Sequence, residues 1–474
     1  MSANSDARCR FAPSPTGYLH VGSAQSALFN WLFARSTGAT FLLRIEDTDA
    51  ERNRPELADN ILDMLRWLGI EWDGEPMHQS DRADRHTAAA ERLASSGRAY
   101  WCECTREDIE RRAAERGKPV QGYDGYCRDR GLAPGPGRAL RFRRPLDAQV
   151  TWPDVVRGAM QIQTNALDDF VIVRSNGTPL FIVANTVDDA EMGITHVIRG
   201  EDHLTNTPKY ILLWQALEFG PIPTFAHLPL LVNEQRKKLS KRRDDVSVAD
   251  YKARGYLGPA MRNYLALLGW APPDEVEVRP IEEIVALFRL EDVNPSPAFF
   301  DVQKLTYVNG EYIRTLPVEE FVRLSTEFLP PGEAPRRALE TLAPLVQERV
   351  KTLAEVPEML EFLWVEQPEL DESAWAKATK DERAHAMLEG ASRELAEAEW
   401  NAESVEQAVR SAGVAAGFVN DAGDVQLSKA QAPLRVAVTG KRVGLPLWQS
   451  LVTLGRDRTL ERVARARGRL GTPS

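Results

Sequence analysis

Arg10-Phe-Ala-Pro-Ser-Pro-Thr-Gly-Tyr-Leu-His-Val-Gly-Ser23 runs directly into Ala24-Gln-Ser-Ala-Leu-Phe-Asn-Trp-Leu-Phe33. In the second half Ala24, Ala27, Leu28, Trp31 and Leu32 recur at i, i+3, i+4, i+7 and i+8, which is one face of a helix, and Gly38 marks its end. The helix therefore begins just after His20-Val21-Gly22. Residues Arg10 to Ala12 read as extended, and Thr40 to Ile45 is a short β-rich run. Strand, glycine-containing loop, helix and strand make a βαβ unit. Leu57, Ile61, Leu62, Leu65 and Leu68, stopped by Gly69, add a second helix, and the class is α/β.

Outward from this unit the rhythm changes. Between about Tyr100 and Pro179 the chain shows short strands, Leu140 to Phe142 and Phe170 to Val173, with one clear helix opening on the capping sequence Thr105-Arg-Glu-Asp108. That pattern predicts an inserted α+β domain. Asn176-Gly177 between two extended runs predicts a hairpin whose two turn residues have positive φ. After Asp188-Asp189, a strand at Thr195 to Ile198 and a helix following Pro208 restore the α/β alternation. Helices predominate from about Asp245 and are nearly continuous beyond Pro317, with strand character only near Leu434 to Val438. No repeat or low-complexity linker is present.

A length of 474 residues calls for about three or more units at roughly 150 residues each. The 43% hydrophobic and 27% charged fractions are those of soluble globular proteins, and no apolar run reaches the roughly 20 residues that span a bilayer. Met1 to Ala7 lacks the apolar stretch of an export signal, which predicts a cytoplasmic protein. A net charge of −10 argues against a nucleic-acid-coating protein, so any RNA contact must rest on local patches. Of four cysteines, Cys102, Cys104 and Cys127 cluster while Cys9 stands alone. Without an export signal such clustering suggests metal ligation before disulfides, the alternative being unpaired buried thiols.

Two segments carry chemistry. Glycines and His20 in a loop entering a helix allow close backbone approach, and the helix N-terminus favours an anion such as phosphate. At Arg236-Lys-Lys-Leu-Ser-Lys-Arg-Arg243 six of eight residues are basic. Alone, the first reads as a capped helix and the second as a solvated charged loop. Together they resemble the paired signatures of class I aminoacyl-tRNA synthetases: His20-Val21-Gly22-Ser23 is similar to the HIGH signature and Lys238-Leu-Ser-Lys-Arg242 to the KMSKS loop. Adenylation of an amino acid needs charge stabilised on the ATP phosphates, and a substrate carboxylate needs no general base. Histidine, lysines and backbone amides therefore suffice, and the absence of a Ser-His-Asp set is expected.

The resemblance narrows to the bacterial-type glutamyl-tRNA synthetases through Arg10-Phe-Ala-Pro-Ser-Pro-Thr-Gly17, Arg44-Ile-Glu-Asp-Thr-Asp49, Val187-Asp-Asp189, His196-Val-Ile-Arg-Gly-Glu-Asp-His203 and Arg262-Asn-Tyr-Leu265. The related glutaminyl enzymes carry an acidic residue in place of Ser14. The resemblance implies a Rossmann-type catalytic domain in two halves, 1–95 and 179–243, an inserted acceptor-end domain at 96–178, a stem-contact domain at 244–317 and a helical anticodon-binding domain at 318–474. It implies His20, Lys238 and Lys241 as catalytic residues. Glutamate would be held by Arg10, Ala12, Ser14, Glu46, Asn185 and Arg199, with Phe181 where relatives often have tyrosine. ATP, with Mg2+, would be held by His20, Gly22, Asp202, Leu231, Lys238, Leu239, Ser240, Lys241 and Arg242. The implied partners are glutamate, ATP and glutamate tRNA, with no membrane and a monomeric state.

The same family pattern implies a structural zinc on Cys102, Cys104 and Cys127. Asp129 occupies the place of the family's fourth ligand, a histidine, while some relatives use a tyrosine before the last cysteine, here Tyr123. Asp129 is the expected ligand, since a carboxylate is ionised at neutral pH whereas a phenol has a pKa of about 10. Retention of the cysteines as small buried residues without metal is the alternative. Two other functions remain open. A relative that modifies a tRNA nucleoside would lack the helical part beyond Pro317, and a catalytically silent RNA-binding homologue would not need His20, Lys238 and Lys241. A dinucleotide-binding oxidoreductase is excluded, because no Gly-x-Gly-x-x-Gly follows the first strand.

Overall fold

Strand β1 (Arg8–Phe11), helix α1 (Val21–Thr37) and strand β2 (Thr40–Ile45) form the expected βαβ unit, with β1 and β2 parallel and Arg10 paired with Leu42. Gly38 ends α1 in the left-handed region at φ 73°, where only glycine is unstrained. Helix α1 is an interior helix: Ala24, Ala27, Leu28, Phe29 and Leu32 are all fully buried. Helix α2 (Pro55–Trp67), strand β3 (Met77–His78) and helix α3 (Ala83–Ser95) follow. The computed structural model describes residues 6–48, 53–116, 122–239, 244 and 246–470. They fall into two units, one of residues 1–252 and 258–305, the other of 253–257 and 306–474.

Strand β4 (Ala99–Cys102) opens the inserted stretch and leads to helix α4 (Arg106–Glu115), whose capping box between Thr105 and Asp108 forms as the sequence predicts. Strands β5 (Ala139–Phe142), β6 (Gln149–Asp154), β7 (Gly158–Gln163) and β8 (Val171–Val173) come next. Antiparallel β4-β5-β8 is a separate small sheet. The β6–β7 hairpin, by contrast, leaves it and pairs β6 in parallel with the later strand Thr224–Leu228. At Asn176-Gly177 only Gly177 takes positive φ. The second arm of the expected hairpin is a single bridge from Pro179 to Val173, because helix α5 (Phe181–Glu191) begins two residues on.

Strand β9 (His196–Gly200), helix α6 (Thr207–Ala216) and strand β10 (Thr224–Leu228) complete the α/β part. Hydrogen bonding orders the strands β3-β2-β1 and β9-β10-β6-β7. The two sets adjoin where the Thr195 amide donates to the Arg8 carbonyl at 3.0 Å. Chain order reverses between β1 and β9. In open α/β sheets the crevice beyond the carboxyl ends of the strands at such a switch point is where ligands bind.

The second unit is helical. Leu434 to Val438 lies inside the helix Leu427–Thr439, not in a strand. Pro433, Leu434, Val436 and Val438 are all buried, since this helix packs against Glu372–Ala378, Ala384–Glu397, Ala402–Ala415 and Arg456–Leu470. Burial on several sides produces an apolar alternation that imitates a strand.

Candidate active site

A cavity of about 430 Å³ opens at the carboxyl ends of β1 and β9, over the N-terminus of α1. Its lining holds Arg10, Ala12, Ser14, His20, Gly22, Glu46, Asn185, Arg199, Asp202, Leu231, Lys238 and Leu239, so twelve residues named from the sequence converge on one space. Phe181 does not line it. As the first residue of α5 it is 39% exposed and meets the cavity only through an edge contact with His203, 6.5 Å between ring centroids. Ser240, Lys241 and Arg242 lie outside the described residues.

His20 caps α1, its Nδ1 accepting the Ser23 amide at 3.2 Å, which places the ring proton on Nε2. The Val21 amide donates to the Val246 carbonyl at 2.8 Å. Two first-turn amides are therefore engaged within the protein, while among the described residues the Gly22 amide of that turn has no such bond. A Cβ on Gly22 would stand 3.3 Å from the His20 ring, so glycine keeps the imidazole and the backbone in close register.

The inner part of the cavity is built around buried charge. Asp189 on α5 accepts from Arg10 Nε at 2.9 Å, Arg10 Nη2 at 3.2 Å, Arg44 Nη1 at 2.5 Å and the Tyr210 hydroxyl at 3.1 Å. Burial raises the Asp189 pKa, but the charges of Arg10 and Arg44 outweigh it and hold the carboxyl well below the usual range. Arg44 Nη2 also pairs with Glu46 at 3.2 Å. Burial nevertheless pushes the Glu46 carboxyl above its ordinary pKa, and a bound ammonium would offset that. Asn185 accepts at Oδ1 from Gln79 Nε2 at 3.0 Å, leaving its Nδ2 to donate elsewhere. Arg199 is different from these arginines. It donates from Nη2 to Thr207 Oγ1 at 2.8 Å and from Nε to His227 Nε2 at 3.4 Å, and among the described residues no carboxylate pairs with it. Burial, then the Arg10 charge, bring its pKa down to about 10.

At the other end Leu231 and Leu239 give an apolar wall, and Lys238 Nζ pairs with Asp202 Oδ2 at 3.0 Å across a half-exposed rim. A cationic, buried compartment thus adjoins a helix-capping histidine, a glycine turn and a lysine held by a single β-bridge to Val232. Residues 6–307 match the family described as tRNA synthetases class I (E and Q), catalytic domain, and residues 320–467 match an anticodon binding domain. A glutamate–tRNA ligase of Frankia casuarinae is 52% identical over 98% of both chains, and one of Thermobifida fusca is 52% identical over 97% of both. The crystal structure of a glutamate tRNA ligase from Elizabethkingia meningosepticum, in complex with its amino acid, superposes with a TM-score of 0.82 at 30% identity, covering 98% of this chain and 99% of that one. This chain belongs to the glutamate–tRNA ligases.

The enzyme's cysteine cluster lies apart from the cavity. Cys102, Cys104 and Cys127 bring their sulfurs within 4.8 Å of one another, while Cys9 is buried elsewhere against the Asn30 carbonyl. Tyr123 enters the same group: its hydroxyl lies 3.4 Å from Cys102 Sγ and accepts the Cys127 amide at 2.7 Å. Asp129 does not. Its carboxylate is 83% exposed and paired with Arg143 at 2.7 Å. Asp129, the ligand expected from the sequence, thus stands outside the group in this structure, because the turn after Cys127 directs that side chain to solvent while Tyr123 packs inward. Three clustered sulfurs suit zinc, and the Tyr123 hydroxyl is an oxygen beside them.

Several residues of this site carry no role in the sequence reading. Arg44, Asp189 and His203 stand inside motifs quoted above, so proximity to the site was visible though their contacts were not. Gln79, Asp154, Thr207 and His227 gave no local signal.

Proposed function

We propose that the enzyme joins L-glutamate to glutamate tRNA in two steps. A carboxylate oxygen of glutamate attacks the α-phosphorus of ATP and expels diphosphate, forming glutamyl adenylate. A ribose hydroxyl at the tRNA 3′ end then attacks the carbonyl carbon, loses its proton, and AMP leaves. One observation carries this reading: Arg199 is a buried guanidinium in the cavity lining, without a carboxylate partner among the described residues. A substrate with a second carboxylate supplies the missing counter-charge.

In this reading Arg10, Ala12, Ser14, Glu46, Asn185 and Arg199 receive glutamate, Glu46 facing the ammonium, and Phe181 acts through His203. Leu231 and Leu239 flank adenine and Asp202 the ribose. His20, Gly22 and Lys238, with Ser240, Lys241 and Arg242, stabilise the phosphates, and Mg2+ supplies further countercharge there. Binding of ATP separates Lys238 from Asp202. Residues 96–178 take the acceptor end, 244–317 the stem and 318–474 the anticodon. Zinc on Cys102, Cys104 and Cys127, with Tyr123 as fourth ligand, orders the insertion. The enzyme acts as a cytoplasmic monomer.

Aminoacylation with radiolabelled glutamate and glutamine, against separate glutamate and glutamine tRNA transcripts, tests the proposal. Glutamate is expected on its own tRNA; transfer of glutamine would overturn it.

A further inference from the structure

Behind Arg199 a chain of polar groups leads out of the amino-acid compartment to a strand of the inserted stretch. Thr207 Oγ1 lies 2.9 Å from His227 Nε2, and His227 Nδ1 lies 2.5 Å from Asp154 Oδ2. Asp154 and His227 have fully buried side chains. Asp154 ends β6 and His227 sits on β10, the two strands paired in parallel. The other carboxylate oxygen, Oδ1, accepts three backbone amides: Val156 at 3.1 Å, Arg157 at 3.0 Å and His227 at 3.2 Å.

These contacts determine where protons sit. An ionised carboxylate only accepts, so the His227 nitrogen facing Asp154 carries hydrogen, and Nε2 is left with its lone pair. Arg199 only donates, so a lone pair is what its Nε requires. Burial, reinforced by the Arg199 charge, keeps the ring below its usual pKa despite Asp154, so the imidazole facing the guanidinium is neutral.

We infer that Asp154 and His227 are positioning residues for Arg199: the carboxylate selects the His227 tautomer protonated on Nδ1, whose Nε2 then holds the guanidinium, directly and through Thr207, in the orientation that receives the substrate carboxylate. This rests on the reading of Arg199 as the carboxylate-binding group. It also makes the strand that closes the inserted hairpin a determinant of glutamate affinity, although Asp154 itself does not line the cavity.

The exchange Asp154→Asn is selective. Three backbone amides keep the side-chain carbonyl oxygen at the Oδ1 position, so the amide nitrogen falls opposite His227 and donates to Nδ1. The ring then carries its proton on Nε2, donor against donor at Arg199; the same exchange in a catalytic triad imposes the wrong tautomer. In aminoacylation at saturating ATP and tRNA, D154N is expected to raise the glutamate KM about tenfold or more, the size of one lost hydrogen bond to a charged group, with the ATP KM unchanged. H227L should do the same, and H227Q, whose carbonyl oxygen can stand in for Nε2, should recover most of the loss. Nitrogen-15 spectra of the wild-type ring should show Nδ1–H and an unprotonated Nε2, whether or not any variant folds. An Nε2–H tautomer in the wild type, or folded D154N with an unchanged glutamate KM, overturns the inference. Arg199→Leu is assayed in parallel. If it leaves the glutamate KM unchanged, the carboxylate-binding reading fails; if it raises KM while D154N does not, only the positioning role fails.

Discussion

At the level of single residues, the site depends on which buried charges are shared and which are left for substrate. Asp189 serves Arg10 and Arg44 together, and both its side chain and that of Arg44 are fully buried. Asp189→Asn should therefore lower stability by about 3–5 kcal/mol, since two guanidinium groups lose their common counter-charge. Urea unfolding measures this, and a loss below about 1 kcal/mol would show the pair to be compensated elsewhere. His203, in the cavity lining, is shifted for the same reason: burial, then the Arg199 charge, bring its pKa from 6.5 to about 4. Between those values the unfolded chain binds more protons than the folded one, so this ring contributes stability that is complete above pH 6.5 and is lost as pH falls toward 4. Its ring resonances should titrate near the lower value, and an inflection near 6.5 would contradict the burial argument. For Lys241, the motif alone predicts that Lys241→Ala slows adenylate formation about 10²–10³-fold at saturating ATP, with tRNA affinity preserved. Pyrophosphate exchange checks it, and near-normal turnover would remove the loop assignment.

Secondary-structure elements differed in how openly they declared themselves. Helix α1 and strand β2 were readable because each has one period and a glycine stop at Gly38. The helix Leu427–Thr439 was misread where Leu434, Val436 and Val438 alternate, because neighbours on several sides bury it. The expected hairpin at Asn176-Gly177 shortened to one bridge, because the chain must turn into α5 at Phe181. Around Cys102, Cys104 and Cys127, loss of metal should act on this element first. Chelation is expected to lower the melting temperature and impair tRNA use, while changing the ATP KM by less than about twofold, because none of the three cysteines lines the cavity. Elemental analysis giving far below one zinc per chain, with no stability change on chelation, would defeat it.

For the whole molecule, a net charge of −10 means that contact with tRNA phosphates must rest on local cationic side chains. On the last helix, Arg456–Leu470, Arg465, Arg467 and Arg469 reach solvent paired with Glu461, Glu389 and Glu372, while Arg462 is buried against backbone carbonyls. Association with tRNA releases counterions wherever such side chains meet phosphate, so affinity should fall at least about tenfold between roughly 50 and 200 mM salt. Filter binding across that range decides it, and a flat dependence would mean that phosphate contacts contribute little.

The amino-acid sequence by itself determined the βαβ opening and the helical C-terminal half, because local periodicity is written in neighbouring positions, and the family resemblance of its motifs implied twelve of the residues that line the cavity. It did not determine which arginine stays unpaired. Arg10 and Arg199 look alike as residues in their motifs, yet only the fold brings Asp189 against one and His227 against the other, from 179 and 28 positions away. Asp129 and Tyr123 were likewise separable only once the backbone turned one outward and the other in. Hydrogen-bond partners at such separations are selected by strand order and burial, and a buried charge takes its role from the groups that surround it.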